Sequence, residues 1–236
     1  MTWPLPPAGV AHLWTARPEA IAAGDVTRAP MTDDEVVRYR RYLSDEARQQ
    51  YVATRVLVRR VLGGYLGCAP ASLRFAEGEH GRPHLATPSP VRFNLSNTRG
   101  LVVCLACAHY EVGVDVELAS RAPELLGLAP NVFAPAELQG LRDLDAPSRP
   151  RRAVDLWTLK EAYIKARGLG LAIPLDGFAF RLEDEARVDI DASLGDHGDA
   201  WQFRTLALGP HIVSTAVRCP ATAPVFIEVR DASGLQ

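Results

Sequence analysis

The sequence has little lysine and no long apolar run. Only two of its 26 basic residues are lysine, Lys160 and Lys165, and the rest are arginine. No apolar stretch approaches the ~20 residues of a membrane-spanning helix, and the first residues do not have the charged start and apolar core of a signal peptide. These absences predict a cytoplasmic protein that has no membrane partner.

Cysteine is also scarce, and neither sign of charge predominates. Four cysteines are too few for a disulfide framework, and Cys104 and Cys107 lie in an apolar run with no second ligand pair. We therefore expect them to pack in a core. The formal net charge of -2 argues against nucleic acid as a partner, because phosphate backbones are bound by a marked excess of Lys and Arg.

The scarcity of lysine makes its position informative. Genomic base composition explains an excess of arginine over lysine. The same bias, however, should replace lysine by arginine at every position where either residue can perform the same role. Lysine carries a compact ammonium that fits beside a metal and a phosphate, whereas arginine carries a wide planar fork. Both lysines lie in one short segment, which favours a functional role there.

Hydrophobic periodicity predicts two similar halves, residues 1–110 and 111–236. Thr32 and Glu35 have the spacing of a helix capping box, and residues 45–66 and 151–167 have helical spacing and end near glycines. The predicted strands are 10–14, 73–76, 91–95, 101–108, 112–117, 178–182, 188–190, 201–206 and 212–217. We predict an α+β fold with pseudo-two-fold duplication, in which each half is a small antiparallel sheet packed with a long helix.

One predicted strand has two carboxylates on one face. In EVGVDVE (residues 111–117), alternation places the valines on one face and Gly113, Asp115 and Glu117 on the other. The two carboxylates lie about 6.6 Å apart along the strand. A half-buried strand with a solvated acidic face gives the same pattern. Gly113, however, leaves room for a ligand or another backbone to come close.

The segment WTLKEAYIK (residues 157–165) is rich in helix formers. Glu161 and Lys165 share a helix face, which could be only an i,i+4 ion pair worth ~0.3–0.5 kcal/mol. A second interpretation makes Glu161 a third carboxylate beside Asp115 and Glu117. Several oxygen ligands with positions left for phosphate and water are what Mg²⁺ prefers, and Lys165 would then neutralise a phosphate oxygen.

These two segments resemble the paired signature of the phosphopantetheinyl transferase superfamily. Further similar segments follow the family order over roughly residues 35–180: GRP (81–83), FNLS (93–96), FAPAE (133–137) and GLGL (168–171). The length resembles the Sfp type, which is built as two similar halves with the 4'-phosphopantetheinyl transferase fold.

The resemblance implies transfer of the 4'-phosphopantetheine of coenzyme A to a serine of an acyl, peptidyl or aryl carrier protein, with release of 3',5'-ADP. It implies Mg²⁺, or Mn²⁺ instead, held by Asp115, Glu117 and Glu161 at a coenzyme A site between the halves. Glu161 would activate the serine directly or through water, with Asp115 and Lys165 as further catalytic residues. Lys160 and Lys165 would contact coenzyme A. A monomer that acts on apo carrier proteins is expected.

The resemblance implies three further coenzyme A contacts. Ser96 matches a phosphate-contacting serine, Arg82 a basic residue beside the adenine, and Arg38 a basic residue near the 3'-phosphate, although the arginines around Arg38 would equally suit a solvated helix face. Asn97 stands where the family commonly has a histidine that helps to hold the 3'-phosphate. Asparagine donates a hydrogen bond but never carries charge, so weaker discrimination against the 3'-dephospho form is expected.

Two other functions remain open at this point. One is a non-catalytic homologue that only binds coenzyme A or a carrier domain, although intact carboxylates and Lys165 argue against it. The other is metal-dependent hydrolysis of the pyrophosphate. Incubation of an apo carrier protein with coenzyme A and Mg²⁺ separates the three functions. A transferase would attach phosphopantetheine to the carrier protein, and a non-catalytic homologue would leave the carrier protein unchanged. A hydrolase would also leave it unchanged but would release free phosphopantetheine.

Overall fold

The computed structural model describes residues 2–21 and 29–235, with only the backbone at position 171. The chain forms two compact units: Met1–Ala76 with Pro83–His109 and Phe226–Gln236, and Glu77–Arg82 with Tyr110–Val225. Each unit combines helices with small sheets, so the predicted α+β class is confirmed. Within the described ranges, no helix has both the length and the apolar character to cross a membrane.

The described residues form six helices and eleven strands. The helices are α1 (Pro18–Ile21), α2 (Asp33–Arg40), α3 (Asp45–Leu66), α4 (Ala122–Val132), α5 (Pro135–Asp143) and α6 (Arg149–Arg167). The strands are β1 (Val10–Ala16), β2 (Phe75–Glu77), β3 (Pro83–Leu85), β4 (Val91–Thr98), β5 (Leu101–Ala108), β6 (Val112–Leu118), β7 (Phe178–Leu182), β8 (Ala186–Ile190), β9 (Trp201–Leu208), β10 (His211–Arg218) and β11 (Phe226–Asp231).

In the first unit, α3 packs on a four-stranded sheet of order β11-β1-β5-β4. The helix has the predicted bounds, because Ser44 caps its start and Gly67, with a left-handed φ of 64°, ends it. The predicted capping box of Thr32 and Glu35 is also present at the start of α2. Cys104 and Cys107 are buried in β5, as predicted.

The sheet of the first unit differs from the prediction in one strand. We expected antiparallel pairing only, and no strand was predicted after residue 217. In the structure, β11 pairs parallel to β1 at the edge of the sheet, with Phe226 opposite Val10. The apolar alternation that identifies a half-buried strand is weak in β11, because most of its side chains are exposed.

In the second unit, α6 packs on a three-stranded antiparallel sheet of order β6-β10-β9. It ends at Gly168, which has a left-handed φ of 68°. Strands β7 and β8 form a separate antiparallel pair. The core contains Leu159 and Tyr163 of α6 together with residues of the sheet and of α4.

A buried polar network lies beside this core. The Asp196 carboxylate accepts hydrogen bonds from Tyr163 Oη (3.0 Å), Arg167 Nη1 (2.8 Å) and Trp201 Nε1 (2.9 Å). Its other oxygen accepts the backbone N–H of His197 at 2.9 Å. Because both carboxylate oxygens have donors, a buried charge is tolerated here.

Candidate active site

The acidic face of β6 lies against the backbone of α6. A Cβ atom at Gly113 would come within 1.9 Å of the Ala162 carbonyl oxygen and 2.6 Å of the Ala166 nitrogen. Glycine is therefore required for this close approach, and the space that it leaves is filled by a backbone. Because Gly113 and Asp115 are buried, this face is not the solvated acidic surface of an ordinary half-buried strand.

Asp115 and Lys165 form an ion pair between β6 and α6. Lys165 Nζ lies 2.6 Å from Asp115 Oδ1, and the aspartate side chain is only 6% exposed. The lysine side chain is 28% exposed. The two predicted site residues, which are 50 positions apart in the sequence, are therefore in direct contact.

Glu117 is held by two donors. Arg121 Nη1 donates a short hydrogen bond to Glu117 Oε1, and Trp157 Nε1 lies 3.4 Å from the same oxygen. Arg121 is held in turn by Glu124, with 3.0 Å between Nε and Oε2. Burial and the charge of Asp115 raise the pKa of Glu117, while Arg121 and Trp157 oppose that rise.

Glu161 is partly buried on α6 and has a different environment. Among the residues that the structure describes, no side chain forms a hydrogen bond or ion pair with its carboxylate. Burial and the charge of Asp115 raise its pKa, and the charge of Lys165 lowers it. Asp115 thus acts electrostatically on both Glu117 and Glu161, which places the three carboxylates in one electrostatic environment.

The chemistry of these donors fits Mg²⁺. Carboxylate oxygens are ligands that it prefers, and a divalent cation would relieve the repulsion that raises the pKa values of Glu117 and Glu161. Over residues 2–21 and 29–235, no group of three or more His, Cys, Asp or Glu side chains is arranged to hold a metal ion. Mg²⁺ commonly takes one or two protein carboxylates and completes its shell with water and phosphate. The three-carboxylate ligand set stays a prediction.

Lys160 is placed differently from the predicted coenzyme A contact. Its ammonium is fully buried and donates to Glu137 Oε2 (2.9 Å), the Leu175 carbonyl (2.7 Å) and the Phe178 carbonyl (2.8 Å). An ammonium has three N–H donors, so none is left for a phosphate. Burial lowers the pKa of Lys160 and raises that of Glu137, and each charge opposes the shift of the other. Lys160 has a structural role in this arrangement.

Arg82 belongs to the same unit as the carboxylates. Its guanidinium donates to the Ala166 carbonyl (2.6 Å) and the Val112 carbonyl (3.1 Å), and it pairs with Glu111 at 2.8 Å. It therefore connects the end of α6 to the start of β6. A contact with the adenine of coenzyme A stays a prediction.

The other predicted coenzyme A contacts lie in the first unit. Ser96 is buried on β4, and Asn97 is exposed on the same strand. Arg38 is exposed on α2 and lines a cavity of about 540 Å³. The other residues that line this cavity are Asp34, Val37, Arg41 and Tyr42. The predicted phosphate contacts of these three residues stay predictions.

The sequence did not predict the contacts of Arg121 and Trp157 with Glu117, or the contact of Glu137 with Lys160. Trp157 and Glu137 lie within segments that carry the family resemblance, so a signal was present, but their partners depend on tertiary packing. Arg121 is a surface arginine among many, and nothing in its spacing distinguishes it. Only the structure shows that it reaches Glu117.

Comparison with known proteins identifies the family of the chain. Residues 111–216, which include β6 and α6, match the 4'-phosphopantetheinyl transferase superfamily. The chain is 34% identical over 183 residues to the 4'-phosphopantetheinyl transferase HetI of Nostoc sp., covering 72% of this chain and 76% of that protein. It is 32% identical over 263 residues to a phosphopantetheinyl transferase of Thraustochytrium sp., covering 98% and 90%.

A third relative is the 4'-phosphopantetheinyl transferase Sfp of Bacillus subtilis, which is 28% identical over 193 residues, covering 77% of this chain and 84% of that protein. The chain therefore belongs to the 4'-phosphopantetheinyl transferase superfamily. The resemblance found in its sequence motifs is confirmed.

Proposed function

We propose that this protein transfers the 4'-phosphopantetheine of coenzyme A to a serine of an apo carrier protein and requires Mg²⁺ to do so. Family membership supports the transfer. The residues are assigned from the contact between β6 and α6. This contact pairs Asp115 with Lys165, and the charge of Asp115 acts on Glu117 and Glu161. The protein acts as a cytoplasmic monomer.

The transfer needs no protein nucleophile. The serine hydroxyl oxygen attacks the β-phosphorus of coenzyme A, the bond from that phosphorus to the bridging oxygen breaks, and 3',5'-ADP leaves with the bonding electrons. The serine proton passes to Glu161, directly or through water. Glu161 lies one helical turn before Lys165 on the same face of α6, which places its carboxylate near the proposed phosphate contact and suits it to accept the proton.

Lys165 and the carboxylates balance the charge of the diphosphate. The Lys165 ammonium donates hydrogen bonds to a phosphate oxygen as negative charge shifts onto 3',5'-ADP. Asp115, Glu117 and Glu161 would hold Mg²⁺, or Mn²⁺ in its place. When bound, the metal supplies positive charge beside the phosphate oxygens.

The first prediction concerns Glu161. Glu161→Gln removes the proton acceptor, so we expect transfer to fall by about 10²- to 10⁴-fold, the usual contribution of a general base. Mass spectrometry of an apo carrier protein incubated with coenzyme A and Mg²⁺, with EDTA as a second arm, measures the transfer. Glu185→Gln is the matched control, because Glu185 is an exposed carboxylate paired with Arg204.

Near wild-type transfer by Glu161→Gln would remove Glu161 from the mechanism, and full activity in EDTA would remove the metal. An unmodified carrier protein would indicate a non-catalytic homologue. Free phosphopantetheine without attachment would indicate a pyrophosphate hydrolase.

The second prediction concerns Asn97. Because an asparagine carries no charge to pair with the 3'-phosphate, we expect similar Km values for coenzyme A and 3'-dephospho-coenzyme A. Asn97→His should lower the Km of coenzyme A alone, most clearly below pH 6.5, where histidine is protonated. A strong preference of the wild-type protein for coenzyme A would contradict this prediction.

A further inference from the structure

The ion pair between Lys165 and Asp115 uses the same groups as the proposed reaction. Asp115 Oδ1, a proposed metal ligand, accepts from Lys165 Nζ at 2.6 Å. Lys165 is also the proposed phosphate contact. If a metal ion binds the same oxygen, repulsion between the two cations disfavours the ammonium at this distance from Asp115.

We propose that Lys165 is an internal counter-ion of Asp115 that a divalent cation displaces, so that metal binding releases the ammonium to contact the phosphate of coenzyme A. This inference rests on the proposed function, because it assumes that a metal binds at Asp115. It assigns Lys165 a role before the reaction, in coupling metal binding to phosphate binding.

The two lysines differ in how far their side chains are enclosed. Lys160 is fully buried and is fixed by Glu137 and two carbonyl groups. Lys165 lies in the last turn of α6, and its side chain is 28% exposed. A long, partly exposed lysine side chain can change rotamer without disturbing the core. Lys165, and not Lys160, is therefore placed to act as a counter-ion that a metal ion can displace.

The charges of the cluster favour the same exchange. Asp115 repels Glu117 and Glu161, and Lys165 and Arg121 are the cations that offset this negative charge. A divalent ion bound at Asp115 offsets more negative charge than one ammonium does. The displaced ammonium then has a new partner in the phosphate, so by linkage each binding event favours the other.

The first experiment observes Lys165 directly. Because the chain has only two lysines, protein labelled with ¹³C,¹⁵N-lysine gives two sets of side-chain NMR signals, which Lys165→Arg assigns. We expect Mg²⁺ to shift the Lys165 side-chain signals and to leave those of Lys160 in place. Unchanged Lys165 signals at a Mg²⁺ concentration that saturates the site would overturn the inference.

The second experiment measures metal affinity without coenzyme A, by calorimetry with Mg²⁺ and by electron paramagnetic resonance with Mn²⁺. Lys165→Met removes the competing cation, so the affinity should rise by about fivefold or more, the lower end of the usual range for coupled sites. Lys165→Arg keeps the charge and should not raise it. Arg151→Gln is the matched control, because it removes one positive charge from the same helix in an exposed pair with Asp155.

The outcomes separate this inference from the proposed function. If the wild-type protein binds metal and Lys165→Met binds it equally or more weakly, the inference is overturned. The proposal that the protein binds a metal ion is then still supported. An equal rise in Arg151→Gln also overturns the inference, because a general charge effect would then be sufficient. If neither the wild-type protein nor Lys165→Met binds either metal, the metal proposal fails and the inference fails with it.

Discussion

Two lysines, five positions apart on α6, have opposite surroundings. Lys160 is buried against Glu137 and over the ring of Phe178, with 4.1 Å from Nζ to the ring centroid. Lys165 reaches the partly exposed edge of the site and pairs with Asp115. Both lysines belong to the same motif, so motif membership alone assigns them the same role. Burial and hydrogen-bond partners distinguish the enclosed Lys160 from the partly exposed Lys165.

The third prediction tests this difference. Lys160→Met leaves Glu137 as a buried charge without its partner, which should lower the free energy of unfolding by about 3–5 kcal/mol. Lys165→Met removes a pair whose lysine is 28% exposed and partly screened by solvent, so it should cost less than Lys160→Met. Urea unfolding followed by circular dichroism measures both. Equal losses in the two variants would mean that burial does not distinguish the lysines.

At the scale of elements, the site depends on how closely β6 and α6 approach. The absence of a side chain at Gly113 allows the carbonyl oxygen of Ala162 to lie against the strand. The same contact brings Lys165 of α6 to Asp115 and Trp157 to Glu117. The spacing between strand and helix is therefore a condition for the assembly of the charged groups.

The fourth prediction concerns this contact. Gly113→Ala places a methyl group against backbone atoms that cannot rotate away, so α6 must shift and stability should fall by about 3 kcal/mol, the upper end for overpacking. Metal affinity should fall with it. Gly140→Ala is the control, since a Cβ there meets open space within α5 and should stabilise the helix by about 0.5–1 kcal/mol. A stable, fully active Gly113→Ala would show that the close approach is dispensable.

At the scale of the whole molecule, elements with strong local signals were predicted well. The bounds of α3 and β5 agree with the prediction because caps, turns and apolar periodicity all indicate the same ends. Helix α4 was not predicted, since Pro130 lies inside it and reads as a helix breaker. The parallel pairing of β11 with β1 depends on residues more than 200 positions apart, and no local pattern carries that information.

For the site, too, the local motifs were predicted from the sequence, whereas contacts between distant residues were not. The sequence motifs predict that Asp115, Glu117, Glu161 and Lys165 share one site, and the structure shows the contact between Lys165 and Asp115. The ion pair of Lys165 with Asp115 and the hold of Arg121 on Glu117 were not predicted, because charge pairing across elements depends on rotamers and packing. The position of Lys160 was not predicted for the same reason.

The fifth prediction concerns acid stability. Burial alone would raise the pKa of Asp196, but hydrogen bonds from His197, Trp201 and Tyr163 and the charge of Arg167 hold it below its ordinary value of 3.8. The ionised carboxylate therefore stabilises the folded state above about pH 4, and this stabilisation falls as the pH drops towards the folded-state pKa. Asp196→Asn should cost about 1.5–3 kcal/mol at pH 7.

Urea unfolding between pH 3 and pH 7 measures this effect. The difference between the wild-type protein and Asp196→Asn should shrink as the pH falls below 4, because the aspartate of the unfolded state then binds a proton while that of the folded state still does not. A difference that stays constant over this range would contradict the assignment of Asp196 as an acid-sensitive group.

The edge position of β11 has a consequence for how the protein is made. The strand that completes the sheet of the first unit is the last one that the structure describes, and most of the second unit, Tyr110–Val225, is encoded between β5 and β11. At a synthesis rate of about 5–20 residues per second, the ribosome needs about 6–24 s after residue 109 to reach the end of that strand at residue 231. During this interval β1 has an open edge, and such an edge is a template for pairing with another chain.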